Sequence, residues 1–232
     1  MRSDDLTQIH ALPLFAEMDQ QGFGALMQAA YFQRFPASVV LIREGQPADF
    51  LHVVVEGAVA LFAGDGRHET IMEIVRPIAT FILAAVLREE AHLMSARTIE
   101  PSQLVMIPAR DVRALFREDA VFARAVVHEL AGRYRTMVKA LKRQKLRTSV
   151  ERLANYLIRC DADHGDSGRF RLPLEKKVLA SFLGMTPENL SRAFAALAKQ
   201  GVAVDGAEVR LTRPADLRTF AAPNPLIDDP DI

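Results

Sequence analysis

Apolar and polar positions follow three different rhythms along this chain. From Leu6 to Ala30, Leu12, Leu14 and Phe15 are followed by Phe23, Leu26 and Met27 at near-helical spacing, which predicts short helices. From Phe35 to about Pro108 the rhythm shortens. Runs rich in β-branched and aromatic residues (Val39 to Ile42, Phe50 to Val55, Val59 to Phe62, Thr70 to Val75, Leu104 to Ile107) are separated by Glu44-Gly45, Glu56-Gly57 and Asp65-Gly66. Asp-Gly between two strands is a hairpin signal, because glycine accepts the positive φ of a tight turn. Many short strands at this spacing predict a small sandwich or barrel. From Ala109 onward Gly and Pro nearly vanish, and the pattern reads as helix to about Arg147.

Within that helix Ala123, Val127, Leu130, Tyr134, Met137 and Leu141 are spaced 4, 3, 4, 3 and 4 residues apart, a heptad seam. A core-facing helix would show the same stripe. However, Val126 and Val138 add a second apolar flank, so one face can meet a partner helix while the flank meets the β-region. The expected dimer seam is Val127, Leu130, Tyr134, Met137 and Leu141. Gly132 weakens the helix by about 1 kcal/mol and permits close approach.

Helix continues over Val150 to Arg159, and Asp161 to Gly168 reads as a polar loop. His164 among Asp161, Asp163 and Asp166 has the look of a metal site, but the spacing fits no calcium loop and a solvated loop is the expectation. The tail after Phe220, with three Pro and three Asp, is expected to fray.

Lys176 to Arg192 carries the most specific pattern. Leu179, Ala180 and Leu183 share one helix face, and Gly184 ends that helix by taking positive φ. Thr186 can cap a second helix through its hydroxyl, and Pro187 suits its first turn. Leu190, Ala193, Phe194 and Leu197 form the buried side of this second helix. Two short helices about a tight turn make a helix-turn-helix. The outward face holds Glu188, Asn189, Ser191 and Arg192. Arg can pair with guanine O6 and N7, Glu can accept from the cytosine amino group, and Ser can approach thymine. The same face on an ordinary protein would simply meet solvent. Val202 to Val204 and Val209 to Leu211 then flank Asp205-Gly206, a candidate wing. Lys199, Arg210 and Arg213 are placed to meet phosphates there.

Composition narrows the choices. The 232 residues suit two small domains, half of them apolar and a quarter charged, as in soluble globular proteins. Zero formal net charge argues against a binder that coats nucleic acid without sequence preference. Charge is nonetheless local: seven Lys/Arg and no acid lie between Ala131 and Val150, either a solvated face or a basic stretch approaching DNA. Cys160 is the single cysteine, which excludes an intrachain disulfide and a cysteine-held iron–sulfur cluster. Its place in a helix points to packing rather than a redox switch. The opening residues are polar, and the longest apolar run, Thr80 to Leu87, is too short to cross a bilayer. A cytoplasmic protein with no membrane partner is expected. No nucleophile–base set, phosphate-cradling Gly loop or His-Glu metal motif is visible, so no catalytic residues are assigned.

The chain resembles the Crp-Fnr family of bacterial regulators over nearly its whole length. Leu41, Glu44-Gly45, Ala48-Asp49 and Gly57 resemble the family's β-roll signature. Glu188-Asn189-Leu190-Ser191-Arg192 resembles the Glu-x-x-Ser-Arg recognition motif of its Fnr and Dnr branches, whereas the catabolite-activator branch has an Arg where Pro187 stands. The resemblance implies that Glu188, Ser191 and Arg192 read TTGAT-like half-sites of a palindrome. It also implies a long dimer helix, a homodimer on double-stranded DNA, and RNA polymerase as a further partner. Two departures stand out, the first being that the oxygen-sensing Fnr branch uses a cysteine-held iron–sulfur cluster, which Cys160 alone cannot supply. The second is that cyclic-AMP-binding members carry Gly-Glu and then an Arg pair around a short helix, while here Ile82-Leu83 and His92-Leu93 occupy those places. A cyclic phosphate there would lack a counter-charge, so cyclic AMP is not expected. An apolar effector pocket of Phe81, Leu83, Leu87, His92 and Met94 is expected instead. Relatives that sense nitric oxide or carbon monoxide hold haem in that region, and His10, His52, His92 and His128 are the candidate axial ligands. A different apolar ligand, or none, is equally open.

The resulting expectation is an α+β chain. Residues 1–108 form a β-roll with N-terminal helices, residues 109–147 a dimerisation helix, residues 148–221 a winged helix-turn-helix, and residues 222–232 a tail. The rival reading is a β-roll module that binds a ligand or partner but not DNA.

Overall fold

A computed structural model describes residues 3–66 and 69–229. The chain forms two compact units that divide between Arg133 and Tyr134, inside the predicted dimerisation helix rather than at its ends.

The first unit opens with α1 (Ser3–His10) and α2 (Gln20–Gln28). Strands β1 (Tyr31–Phe35), β2 (Val40–Ile42), β3 (Phe50–Glu56), β4 (Val59–Gly64), β5 (Glu69–Val75) and β6 (Ala79–Phe81) follow, then α3 (Leu83–Arg88), β7 (Ser95–Thr98), β8 (Ser102–Pro108), α4 (Ala109–Glu118) and the start of α5 (Ala120–Leu146). Two four-stranded antiparallel sheets result, in the orders β1-β8-β3-β6 and β2-β7-β4-β5. Residues of both sheets, among them Ile42, Val54, Leu61, Val75, Phe81 and Leu104, bury one another inside the roll. On β3 the next positions over, Leu51, Val53 and Val55, belong to a second core with the helices. This strand is covered on both faces, which is why Phe50 to Val55 reads as an apolar run interrupted only by His52. Gly57 turns the chain from β3 into β4 at φ +83, where a Cβ would sit 2.3 Å from the Pro101 carbonyl oxygen. No larger residue fits that turn.

In this unit three strands escaped the periodicity. Tyr31–Phe35, Ala79–Phe81 and Ser95–Thr98 are short or lie at the edge of an apolar run, so alternation has too few positions to register. The helix expected from Ala109 to Arg147 is broken at Asp119, whose backbone is extended (φ −112, ψ 106). Its Oδ1 accepts from the Val121 and Phe122 amides at 2.7 and 3.1 Å and so caps α5.

The second unit holds the end of α5, α6 (Ser149–Asp163), β9 (Arg169–Arg171), α7 (Lys176–Phe182), α8 (Pro187–Leu197), a 3-10 turn (Ala198–Gln200), β10 (Val202–Asp205), β11 (Glu208–Leu211), α9 (Pro214–Ala221) and α10 (Pro225–Asp228). Thr148 and Glu151 form a reciprocal capping box that starts α6. The three strands order as β10-β11-β9.

Two expectations need correction here. Helix α6 runs through the first part of the predicted polar loop. Asp161 is buried, its Oδ1 accepting from the Gly168 amide at 2.8 Å to close the loop, and His164 bonds the Cys160 carbonyl through Nδ1. The tail after Phe220 is not frayed through Asp229: it forms α10, with Ile227 buried.

Candidate nucleic-acid interface and β-roll interior

Helix α7 ends as its sequence requires. Gly184 takes φ +64, and the chain turns into α8. Thr186 Oγ1 accepts from the Asn189 amide at 3.2 Å, with Pro187 in the first turn. Leu179, Ala180 and Leu183 on α7 and Leu190, Ala193, Phe194 and Leu197 on α8 are all buried. The turn is held from behind by Arg152 of α6, whose Nε donates to the Leu183 carbonyl at 2.9 Å. Arg152 was not foreseen, since nothing in its local sequence marks it.

The buried side fixes the outward one. Glu188, Asn189, Ser191 and Arg192 are exposed on α8. Arg192 Nη2 donates to Asn189 Oδ1 at 2.5 Å, and Ser191 Oγ donates back to the Pro187 carbonyl at 3.1 Å. The guanidinium therefore rests on a neighbour it can exchange for a base edge. The Glu188 carboxyl is held below the usual carboxylate range, first by its own backbone amide, then by the Thr186 hydroxyl and Arg192. It stays ionised and can accept only.

The wing forms as a hairpin, with Val202 opposite Leu211 and Asp205 opposite Glu208. Its two-residue loop is Gly206-Ala207 rather than Asp205-Gly206. Gly206, at φ +56, occupies the first loop position, where glycine is favoured. Lys199 and Arg210 are exposed. Arg213 is exposed too, and it pairs with Asp216 at 3.0 Å and donates to the Lys199 carbonyl. An open groove of about 660 Å³ separates α8 from β10, lined by Lys176, Ser191, Phe194, Val202 and Thr212 among others. Lys176, exposed at the start of α7 with its Nζ 5.9 Å from the Phe194 ring centre, is a further cation on this side that the helix periodicity passed over.

The expected effector pocket is divided. Phe81 is buried inside the roll, and Met94 packs there too. Leu83 and Leu87 face the other core, with the helices. Ile82 packs against both cores in a left-handed conformation at φ +70. A β-branched residue there carries about 1–3 kcal/mol of strain, which the packing on both sides sustains.

The four histidines also separate. His10 bonds the Met18 carbonyl oxygen through Nε2 at 3.2 Å and packs on Phe23. His128 is exposed on α5. His52 and His92 are buried, each with an Nδ1 that meets no partner. The His52 ring lies on Phe81 with centroids 4.9 Å apart. Burial first, and His92 second, lower its pKa from 6.5 to about 4. Burial also lowers that of His92, against the pull of Asp49. Both rings are neutral at pH 7.

Along α5, Val127, Tyr134, Met137 and Leu141 are 53 to 68% exposed, while Leu130 is half-buried against the first unit's core. Of the second flank, Val126 is buried in that core together with Phe122, whereas Val138 is exposed and packs in neither core.

Residues 32–119 match the family model of the cyclic nucleotide-binding domain, and residues 151–220 that of the Crp-like helix-turn-helix domain. The transcriptional activator protein Anr of Pseudomonas protegens is 25% identical over 187 residues, covering 78% of this chain and 76% of that protein. The transcriptional activator protein FnrA of Stutzerimonas stutzeri is 25% identical over 177 residues, covering 74% and 72%. The structure of FixK2 from Bradyrhizobium japonicum shares the fold at TM-score 0.70 and 22% identity, over 84% of this chain and 98% of that one.

Proposed function

Since the chain belongs to the Crp-Fnr family of transcription regulators, with a DNA-binding helix-turn-helix in its second unit, we propose that it reads a palindrome as a homodimer and answers to an effector other than a cyclic nucleotide. One observation carries the DNA reading: Glu188, Ser191 and Arg192 stand exposed together on a helix whose opposite side is buried. Their order is that of the Glu-x-x-Ser-Arg motif, which favours TTGAT-like half-sites. The exposed apolar residues of α5 supply the dimer contact, and two recognition helices then meet half-sites about 34 Å apart. As an activator it would also contact RNA polymerase.

The effector reading rests on charge. A cyclic phosphate needs a cation or a set of amides where it binds. Position 82 carries Ile, 83 Leu and 93 Leu, and His92 is held neutral by its burial. Haem is the occupant we favour: it is apolar over most of its surface and needs a ring nitrogen. Within the β-roll, His52 and His92 each keep a buried Nδ1 that meets no partner. Bound there, haem would supply an iron able to take a diatomic gas.

The DNA reading is tested by fluorescence anisotropy on a duplex with two TTGAT-like half-sites and on a scrambled duplex. Wild type should prefer the former, and Arg192→Ala should weaken that binding by about 5- to 150-fold, from ~1–3 kcal/mol per base contact, while leaving scrambled DNA unaffected. Equal binding of both duplexes by wild type would favour the rival module that does not read DNA. The haem reading is tested by optical titration under reducing conditions with and without nitric oxide. A one-per-chain Soret band that shifts with the gas and is lost in His52→Ala or His92→Ala supports it, and featureless, non-saturating absorbance removes it.

A further inference from the structure

The residues after Phe220 lie beyond the stretch that the helix-turn-helix family model matches, yet they are anchored. Asn224 caps α10 through Oδ1, accepting from the Leu226 amide at 2.9 Å, and Ile227 is buried. The anchors on the other side come from the basic stretch that ends α5. Lys139 Nζ donates to the Asp229 carbonyl at 2.6 Å and Lys142 Nζ to the Leu226 carbonyl at 3.1 Å. Arg147 Nη2 donates to the Ala222 carbonyl at 2.8 Å and to Asp228 Oδ2 at 2.7 Å. The Arg147 and Asp228 side chains are only 11% and 12% exposed. Asp228 Oδ2 also accepts from the Asn224 amide at 2.8 Å, so one carboxylate joins the segment's own fold to its anchor.

Arg147 is also the joint of this unit. Helix α5 ends at Leu146 and α6 begins at Ser149, so Arg147 and Thr148 are all that lies between them. The Arg147 carbonyl accepts from Arg152 Nη1 at 2.8 Å, and the same Arg152 holds the turn of the helix-turn-helix. A chain of contacts thus runs from Asp228 through Arg147 and Arg152 to the α7–α8 turn. Burial and the nearby Arg159 lower the pKa of Arg143 on the same stretch, while Asp228 opposes them. The cations between Ala131 and Val150 are therefore in good part neither a free solvated face nor free for DNA.

We infer that residues 222–229 form a clasp that fixes the α5–α6 joint, with Asp228 as its positioning residue, so that the DNA-reading helices are presented at one angle. A jointed dimer with a loosened clasp has to order itself on reaching a second half-site, and that ordering weakens palindrome binding without touching the contacts to one half-site. The DNA consequence rests on the proposed dimeric regulator; the state of the joint does not.

Two variants test this: Asp228→Asn, and a chain ending at Ala221 in case the substitution is absorbed locally. Each is first checked for native circular dichroism. Limited trypsin digestion, read by mass spectrometry, follows cleavage after Lys142, Arg143, Lys145 and Arg147. Cleavage there should be at least tenfold faster in either variant than in wild type, with cleavage in the β-roll unchanged. Palindrome affinity should fall about tenfold while affinity for a single half-site stays within twofold. Joint cleavage as slow in both variants as in wild type would overturn the clasp. Tighter palindrome binding would overturn its positioning role, making the segment an inhibitor. Failure of wild type to bind any half-site would fault the DNA reading alone, since the digestion still reports on the clasp.

Discussion

His52 shows how one residue in the β-roll couples the fold to pH. Its ring is buried on Phe81, its Nδ1 has no partner, and desolvation together with His92 brings its pKa from 6.5 to about 4. Above pH 6.5 the ring is neutral in both the folded and the unfolded chain, so it makes stability no function of pH. Between 6.5 and about 4 the unfolded chain takes up a proton that the native chain refuses, and stability falls as pH falls. Below about 4 both forms are charged and the slope ends. From pH 7.5 to pH 5 this amounts to about 2 kcal/mol, at ~1.4 kcal/mol per pKa unit. His92 acts in the same direction and is common to both proteins compared. Urea unfolding at the two pH values should therefore show His52→Leu losing about 2 kcal/mol less than wild type. Equal losses would mean that the ring is charged, or hydrated, in the folded chain.

At the scale of elements, the turn between α7 and α8 is the part where local chemistry does most to decide the geometry, with Arg152 bracing it from behind. Gly184→Ala places a Cβ 2.7 Å from the Gln144 side-chain amide, which can swing away, but φ +64 is not so easily relieved. It should cost about 1–2 kcal/mol, and Gly184→Asn less, because Asn tolerates the left-handed region. Thr186→Ala should cost about 1 kcal/mol by removing the cap, and Thr186→Ser almost nothing. Shifts in urea midpoint, with the slope unchanged, would measure both. The same contrast separates what the sequence announced from what it withheld. Gly184, Thr186 and Pro187 each act on the residues beside them, so the helix-turn-helix was legible. The exposed face of α8 followed from its buried one. Thr80 to Leu87 is apolar throughout, yet it is cut into β6, the strained Ile82 and α3, and a run without alternation does not record where it is cut. The pocket expected there was split for the same reason, since consecutive residues of the run face different cores. Asp119 ends one helix and caps the next, a role its side chain shares with any helical Asp until the backbone is seen. The segment after Phe220 is held by Arg147, Lys139 and Lys142 across more than eighty positions in each of these contacts, and no local pattern encodes them.

For the molecule as a whole, zero net charge sets how it must bind DNA. Without a general attraction to phosphate, affinity has to come from a few base contacts used twice, which makes the proposed dimer decisive. The apolar residues that α5 leaves exposed, Tyr134 at 67% and Met137 at 68%, are at helical positions that no ordinary surface helix fills in this way. Replacing both with Asp would set four carboxylates into a desolvated seam, two from each chain, and like charges there cost far more than the packing they replace. Sedimentation equilibrium should then give the mass of one chain, 25.7 kDa, in place of two. Neither side chain lies among the buried residues, so the unfolding midpoint of a chain already separated by dilution should hardly move. On DNA, the second half-site would no longer be reached within one complex. The gain from linking two sites is about 10²–10⁴-fold, so palindrome affinity should fall by at least a hundredfold while half-site affinity stays within twofold. A Tyr134→Asp, Met137→Asp chain that remained dimeric would move the interface off this helix. One that became monomeric yet bound the palindrome undiminished would leave the dimer without a part in reading DNA.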